Sequence, residues 1–160
     1  LLVVIAIIFF ITSILFNSLK QPLIILFIIP ISYIGVFLTF YWFKLNFDQG
    51  GFASFILLCG ITVNASIYVL NEYNGIRRQH PSMKALHAYT KAWNAKATPI
   101  FLTVLSTILG FIPFMVGTEK EAFWFPLAAG TIGGLVMSVV GVFLFLPVFT
   151  LAKREVMASK

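Results

Sequence analysis

Gly51–Tyr73 reads GFASFILLCGITVNASIYVLNEY, and this stretch decides the fold. It contains no Asp, Glu, Lys or Arg before Glu72. At 1.5 Å per residue, about 20 such residues cross a hydrocarbon core of about 30 Å. Gly51–Tyr73 is therefore predicted to be a transmembrane helix. Its polar residues stand out against that background: Asn64 near the middle, Asn71 and Glu72 towards one end. Polar side chains in hydrocarbon are costly, so their default reading is functional.

The remainder of the chain has the same character. Of 160 residues, 60% are hydrophobic and 10% charged, against about 25% charged in an average soluble protein. One soluble core of this size could not bury so much Leu, Ile, Val and Phe. Five apolar stretches stand out, at about 1–16, 22–43, 51–73, 99–117 and 122–152. The first is shorter than a full span and begins abruptly at Leu1, with neither an initiator Met nor a basic flank. The expectation is a fragment cut inside or just before a transmembrane helix. The last is longer than a span needs, so part of it is expected to be loop or tilt. Pro30 is expected to kink the second helix, because its ring removes a backbone bond and meets the carbonyl four residues back.

Between Asn74 and Thr98 lies the one long connection. Pro81 and Ser82 make a helix start, after which Met83, Leu86, Tyr89 and Trp93 recur at helical spacing opposite Lys84 and Lys91. An amphipathic helix at about 82–96, lying on the membrane surface with its aromatic side inward, is expected there. The charges set an orientation. Lys20, Arg77, Arg78, Lys84, Lys91, Lys96, Lys153, Arg154 and Lys160 fall on one side, and only Lys44 and Lys120 on the other, so the division is nine to two. By the positive-inside rule the long loop and the C-terminus are cytoplasmic, with Asp48 and Glu119 outside. The net charge of +6 is thus dispersed around the spans, and nucleic acid is excluded as a partner.

Three helices carry faces unlike lipid-exposed ones. Gly60, Asn64, Tyr68 and Asn71 fall at i, i+4, i+8 and i+11, and Thr103, Ser106, Thr107, Gly110 and Pro113 share a face of the fourth stretch. Gly130, Gly134, Ser138 and Gly141 form a small-xxx-small row on the fifth, a pattern that lets helix backbones approach closely. Together these describe an all-α bundle of five helices with an internal polar seam. Asn64 supports two readings: inter-helix glue worth about 0.6 kcal/mol, or a partner for a titrating carboxylate elsewhere in the membrane. Glu72 lies where it can reach water, and Lys96 can snorkel to the same interface. His80 and His87 show no ligand spacing, and the lone Cys59 can form no internal disulfide. Neither catalytic constellation, phosphate loop, cofactor motif nor metal cluster is present, so the reading is not an enzyme, and transport would run on an ion gradient.

Four segments carry a resemblance: NSLKQPLIILFIIPISYIG (17–35), LLCGITVNASI (57–67), ATPIFLTVLSTILGFIPF (97–114) and LAAGTIGGLVMSVVGVFLFLPVF (127–149). In this order they resemble the closing helices of resistance–nodulation–division (RND) transporters, most closely the AcrB-like multidrug efflux branch. The resemblance implies the last five of twelve transmembrane helices of a proton-driven efflux transporter of the bacterial inner membrane. It further implies porter domains outside this chain, a homotrimer, a periplasmic adaptor and an outer-membrane channel. Asn64 falls where the best-known drug pumps look to have a lysine facing two aspartates from the other half of the transporter. Lys96 stands where the family has an arginine near the cytoplasmic mouth of the proton path, keeping the charge without the bidentate fork. Thr103 matches a threonine beside that network. On this reading Asn64, Lys96 and Thr103 are proton-relay partners, with Tyr68, Asn71 and Thr107 along the seam and Gly60, Gly110, Gly130, Gly134, Ser138 and Gly141 packing helices. A heavy-metal exporter, a protein-export auxiliary and a passive membrane anchor remain as alternatives.

Overall fold

A computed structural model describes residues 2–116 and 123–150. Glu119, Lys120, Glu121, Lys153, Arg154 and Lys160, and the ends of the fourth and fifth expected spans, lie outside the described residues. Five helices follow in order: α1 (Leu2–Phe16), α2 (Lys20–Phe43), α3 (Gln49–Gln79), α4 (Ala85–Val116) and α5 (Trp124–Val140). After α5 a π-helical turn, Gly141–Phe145, leads into one more helical stretch ending at Thr150. The described residues are all-α, and four helical stretches are long and apolar enough to cross a membrane. α1 is apolar but has 15 residues, about 22 Å at 1.5 Å each.

Local chemistry sets the boundaries. The Asp48 carboxylate caps α3 by accepting from the N–H groups of Gly50 (3.0 Å) and Gly51 (3.3 Å), two donors that helix geometry leaves without partners. Arg77 and Arg78 occupy the last turn of α3, where cations complement the helix dipole. Lys44 closes α2 in the left-handed conformation, its N–H turned back to the carbonyls of Phe40 and Tyr41.

α5 packs across α2, α3 and α4, while α1 leans on α2 and α3. The α2–α5 contact is close because glycines face each other. A β-carbon on Gly133 would overlap the Thr39 hydroxyl and stand 2.7 Å from the Gly35 carbonyl oxygen; one on Gly35 would stand 2.6 Å from Met137 Cβ. Farther along, Gly130 lies against Ser54 and Phe40, and Gly134 against the Leu58 side chain. Such contact supplies the dispersion energy that associates helices where lipid offers no hydrophobic drive. Gly141 is looser, with 3.3 Å to the nearest methyls of Ile28 and Ile31. Interior polar groups are largely held locally. Ser138 is buried and donates to its own helix at Leu135, and the Tyr33 hydroxyl sits 2.7 Å from Cys59 Sγ. Gln21 and Asn74 exchange two amide hydrogen bonds (3.0 and 2.8 Å), tying the start of α2 to the end of α3.

One element differs from expectation. The surface helix at 82–96 is absent as a separate element, because α4 runs without interruption from Ala85 to Val116. No breaker stands between Ala85 and Thr98, and Pro99 removes one backbone bond without ending the helix. The stripe expected to cover lipid divides: Tyr89 is buried with its ring 6.0 Å from that of Tyr73, Trp93 lies 5.2 Å from Phe143, and Leu86 faces outward. α2 passes through Pro30 as one helix. The fifth stretch contains the π-helical turn, where the Leu146 N–H reaches back to the Gly141 carbonyl just before Pro147, which has no N–H to give.

Candidate functional site

α3 has two sides. Ser54, Leu58, Thr62, Ser66, Val69 and Tyr73 are buried in the bundle, whereas Gly60, Asn64, Tyr68 and Asn71 are exposed. The exposed side forms the floor of an open groove of about 440 Å³. Ile8, Ile11 and Thr12 of α1 make one wall and Thr103 of α4 contributes to the other, with Asn64 and Gly60 between them. The expected internal seam is therefore external in this chain. α2 and α5 occupy the opposite side of α3, and α1 and α4 flank its outward side without roofing it.

The hydroxyls around Asn64 are turned onto their own helices. Thr12 donates to the Ile8 carbonyl (2.6 Å), Thr103 to Pro99 (2.9 Å) and Thr107 to Thr103 (2.8 Å). Each has used its proton, although its lone pairs could still accept from an amide, and the Asn64 amide makes no hydrogen bond among the described residues. Two exposed glycines carry the same message, Gly60 in the groove and Gly110 outside its lining, seven residues beyond Thr103 on α4. A β-carbon added to Gly60 or Gly110 would meet nothing within 4 Å, so neither packs a helix inside this chain, contrary to expectation. Ser106 is exposed beside Gly110 on α4.

Lys96 lies outside the groove lining and is already engaged. Its ammonium is 3.2 Å from the Glu72 carboxylate, and both side chains are about one-third exposed (36% and 35%). Glu72 is eight residues beyond Asn64, about 12 Å along α3, and Lys96 is seven before Thr103 on α4. The structure thus brings Asn64 and Thr103 to one groove and leaves Lys96, paired with Glu72, about two turns of α4 away. Thr12 is a groove residue that the sequence reading missed. Its signal was available: Thr12 and Ser13 are the only polar residues of Leu2–Phe16.

Residues 1–153 match the AcrB/AcrD/AcrF family, which is nearly the whole chain. The chain belongs to this family of RND transporters. Among curated relatives, the multidrug resistance protein MdtC of Erwinia tasmaniensis is 31% identical over 138 residues, which is 86% of this chain and 13% of that protein. The cobalt-zinc-cadmium resistance protein CzcA of Cupriavidus metallidurans is 29% identical over 143 residues, 88% of this chain and 13% of that protein. MdtC of Escherichia coli O9:H4 is 27% identical over 135 residues, or 84% of this chain. The chain spans 13% of the length of the relatives it matches. Membership of this family agrees with the four helical stretches long and apolar enough to cross a membrane, the mark of a multi-pass membrane protein.

Proposed function

We propose that this chain is the last five of twelve transmembrane helices of a proton-driven efflux transporter of the bacterial inner membrane, with its long loop and C-terminus cytoplasmic. The groove over Asn64 receives a helix from the remainder of the same polypeptide, and that helix carries the titrating carboxylate. The supporting observation is the coincidence of an unpaired amide with a bare glycine in one open groove: Asn64 beside Gly60, with Thr103 on the neighbouring wall. An amide suits this task because it donates to a carboxylate and accepts from the protonated acid, so it has a partner in both states. A neutral amide releases no fixed charge on protonation, so its response is a change of hydrogen bonds. A proton crossing 100 mV yields about 2.3 kcal/mol, comparable to one or two hydrogen bonds at about 1 kcal/mol each. That suffices to bias a two-state helix shift. Lys96 and Thr103 are the neighbouring relay residues, with Tyr68, Asn71 and Thr107 along the same path.

For cargo we propose amphiphilic or hydrophobic compounds, exported by a homotrimer with a periplasmic adaptor and an outer-membrane channel. The relatives include both multidrug and cobalt-zinc-cadmium resistance proteins, and the methionines available to a metal route are dispersed here. Met137 packs at Gly35, Met83 receives Arg77 on its carbonyl, and Met115 lies near the other end of α4.

Asn64 in the full-length transporter provides the test. Asn64→Leu, of similar volume but without hydrogen bonds, is expected to reduce drug efflux driven by an imposed pH gradient in vesicles at least tenfold, with assembly intact. Wild-type efflux by this variant would remove Asn64 from the coupling device and leave only a packing contact. In the same cells, loss of the transporter is expected to raise drug susceptibility and leave cobalt and zinc tolerance unchanged; the opposite pattern would assign a metal cargo.

A further inference from the structure

α4 is exposed on two sides, and they differ in chemistry. One carries Thr103, Ser106 and Gly110, the groove side described above. The other carries a single row at helical spacing: Lys84, His87, Lys91, Asn94, Thr98 and Leu102, every one of them exposed. Leu105, Leu109 and Ile112 continue this side as exposed apolar surface. Read from its start, the strip is cationic and polar for four turns and apolar thereafter. A helix side that faces phospholipid headgroups first and acyl chains next has this profile.

A cleft lies at the transition. Trp93, Ala97, Phe101, Thr98 and Leu102 line it together with Val139 of α5, and its volume is about 330 Å³. The lining is apolar apart from Thr98, and the row leading out of it reaches Asn94 and Lys91 within two turns, about 10 Å. Among the described residues Lys84 and Lys91 make no ion pair. The sequence has no Asp or Glu between Glu72 and Glu119, and the Glu72 carboxylate is taken by Lys96.

We propose that the α4–α5 cleft and the Lys91 row above it form a binding site for an anionic phospholipid, its acyl chain lying along Trp93, Ala97 and Phe101 and its phosphate held by Lys91 and Asn94. Charge complementarity selects the occupant. A zwitterionic lipid brings its own cation against Lys91, whereas an anionic headgroup offers an uncompensated phosphate. The site lies on the side of α4 away from Thr103, so it is separate from the coupling groove and stands whether or not that reading holds.

The probe is Trp93, which borders the cleft. The full-length transporter is labelled with 5-fluorotryptophan in detergent, the Trp93 ¹⁹F signal is assigned by its loss in Trp93→Phe, and short-chain phosphatidylglycerol or phosphatidylcholine is titrated in. The expected result is a saturable shift of the Trp93 signal with phosphatidylglycerol at about tenfold lower concentration than with phosphatidylcholine. In Lys91→Gln the phosphatidylcholine response should persist, showing an intact cleft, while the preference disappears. Equal responses to the two lipids in the unmodified protein would overturn the proposal. So would a preference that survives Lys91→Gln, or the same shift produced by inorganic phosphate alone.

Discussion

Glycines lie both where α5 meets α2 and α3 and on the exposed sides of α3 and α4, and they act differently in the two places. At Gly35, Gly130, Gly133 and Gly134 the missing side chain is filled by a neighbouring helix. At Gly60 and Gly110 it is filled by nothing in this chain. Polar residues divide in the same way: Ser54 and Ser138 are buried and bonded within their helices, while Asn64 is exposed in an open groove without a partner. The first region is packed within this chain and the second is open; the proposed coupling helix would close it. A small residue on a membrane helix therefore marks close approach without saying which chain segment approaches, and only the space around its Cα shows whether the partner is present.

The largest effect on stability is expected in the packed region. Gly133→Leu places a side chain where the Thr39 hydroxyl and the Gly35 carbonyl already stand. Overpacking costs about 1–3 kcal/mol even where side chains can yield, and here one obstacle is backbone, so a loss of about 3 kcal/mol is expected. Thermal unfolding of the purified transporter in detergent, followed by size-exclusion chromatography, would measure it. An unchanged melting profile would mean that α2 and α5 do not meet at these glycines.

Gly60→Ala makes the opposite test. With nothing within 4 Å to strike, the methyl should leave the bundle unharmed and, by helix propensity, raise its stability by up to about 1 kcal/mol. In the full-length transporter the same methyl meets whatever occupies the groove, and efflux should fall severalfold. Equal activity of Gly60→Ala and wild type would show that no helix approaches α3 closely at this level.

The sequence carried some of this and withheld the rest, for physical reasons. Gly51–Tyr73 announces a membrane helix because hydrophobic length can be counted along one dimension, and an all-α bundle follows from repeating the count. Periodicity gives a side but not what covers it. Met83, Leu86, Tyr89 and Trp93 share a spacing, yet Tyr89 meets Tyr73 of α3 while Leu86 is exposed; and with no breaker between Ala85 and Thr98 the expected surface helix is the first part of α4. Asn64 was legible as a residue and illegible as a direction. A stripe of Gly, Asn and Tyr looks the same whether it is buried in its own bundle or awaits another segment. The reciprocal Gln21–Asn74 pair was out of reach altogether, since two amides 53 residues apart carry no local signal.

The smallest effect is expected outside the groove lining. The Lys96–Glu72 pair is well formed at 3.2 Å, but with both side chains about one-third exposed (36% and 35%) water screens it. Pairs of this kind contribute about 0.2–1 kcal/mol, and the lower half of that range applies here. Glu72→Gln should therefore destabilise the transporter by less than about 0.5 kcal/mol, and the difference from wild type should shrink further as salt is raised, because exposed charges lose their attraction beyond a Debye length of about 10 Å at 0.1 M. Melting curves at low and high salt would show both. Efflux gives the sharper reading. If the groove's working part is centred on Asn64, two turns of α3 from Glu72, freeing Lys96 from its carboxylate should alter efflux no more than about twofold. A loss as large as that of Asn64→Leu, at unchanged stability, would extend the working groove to Lys96 and make the charge there, rather than the amide alone, part of what the missing helix meets.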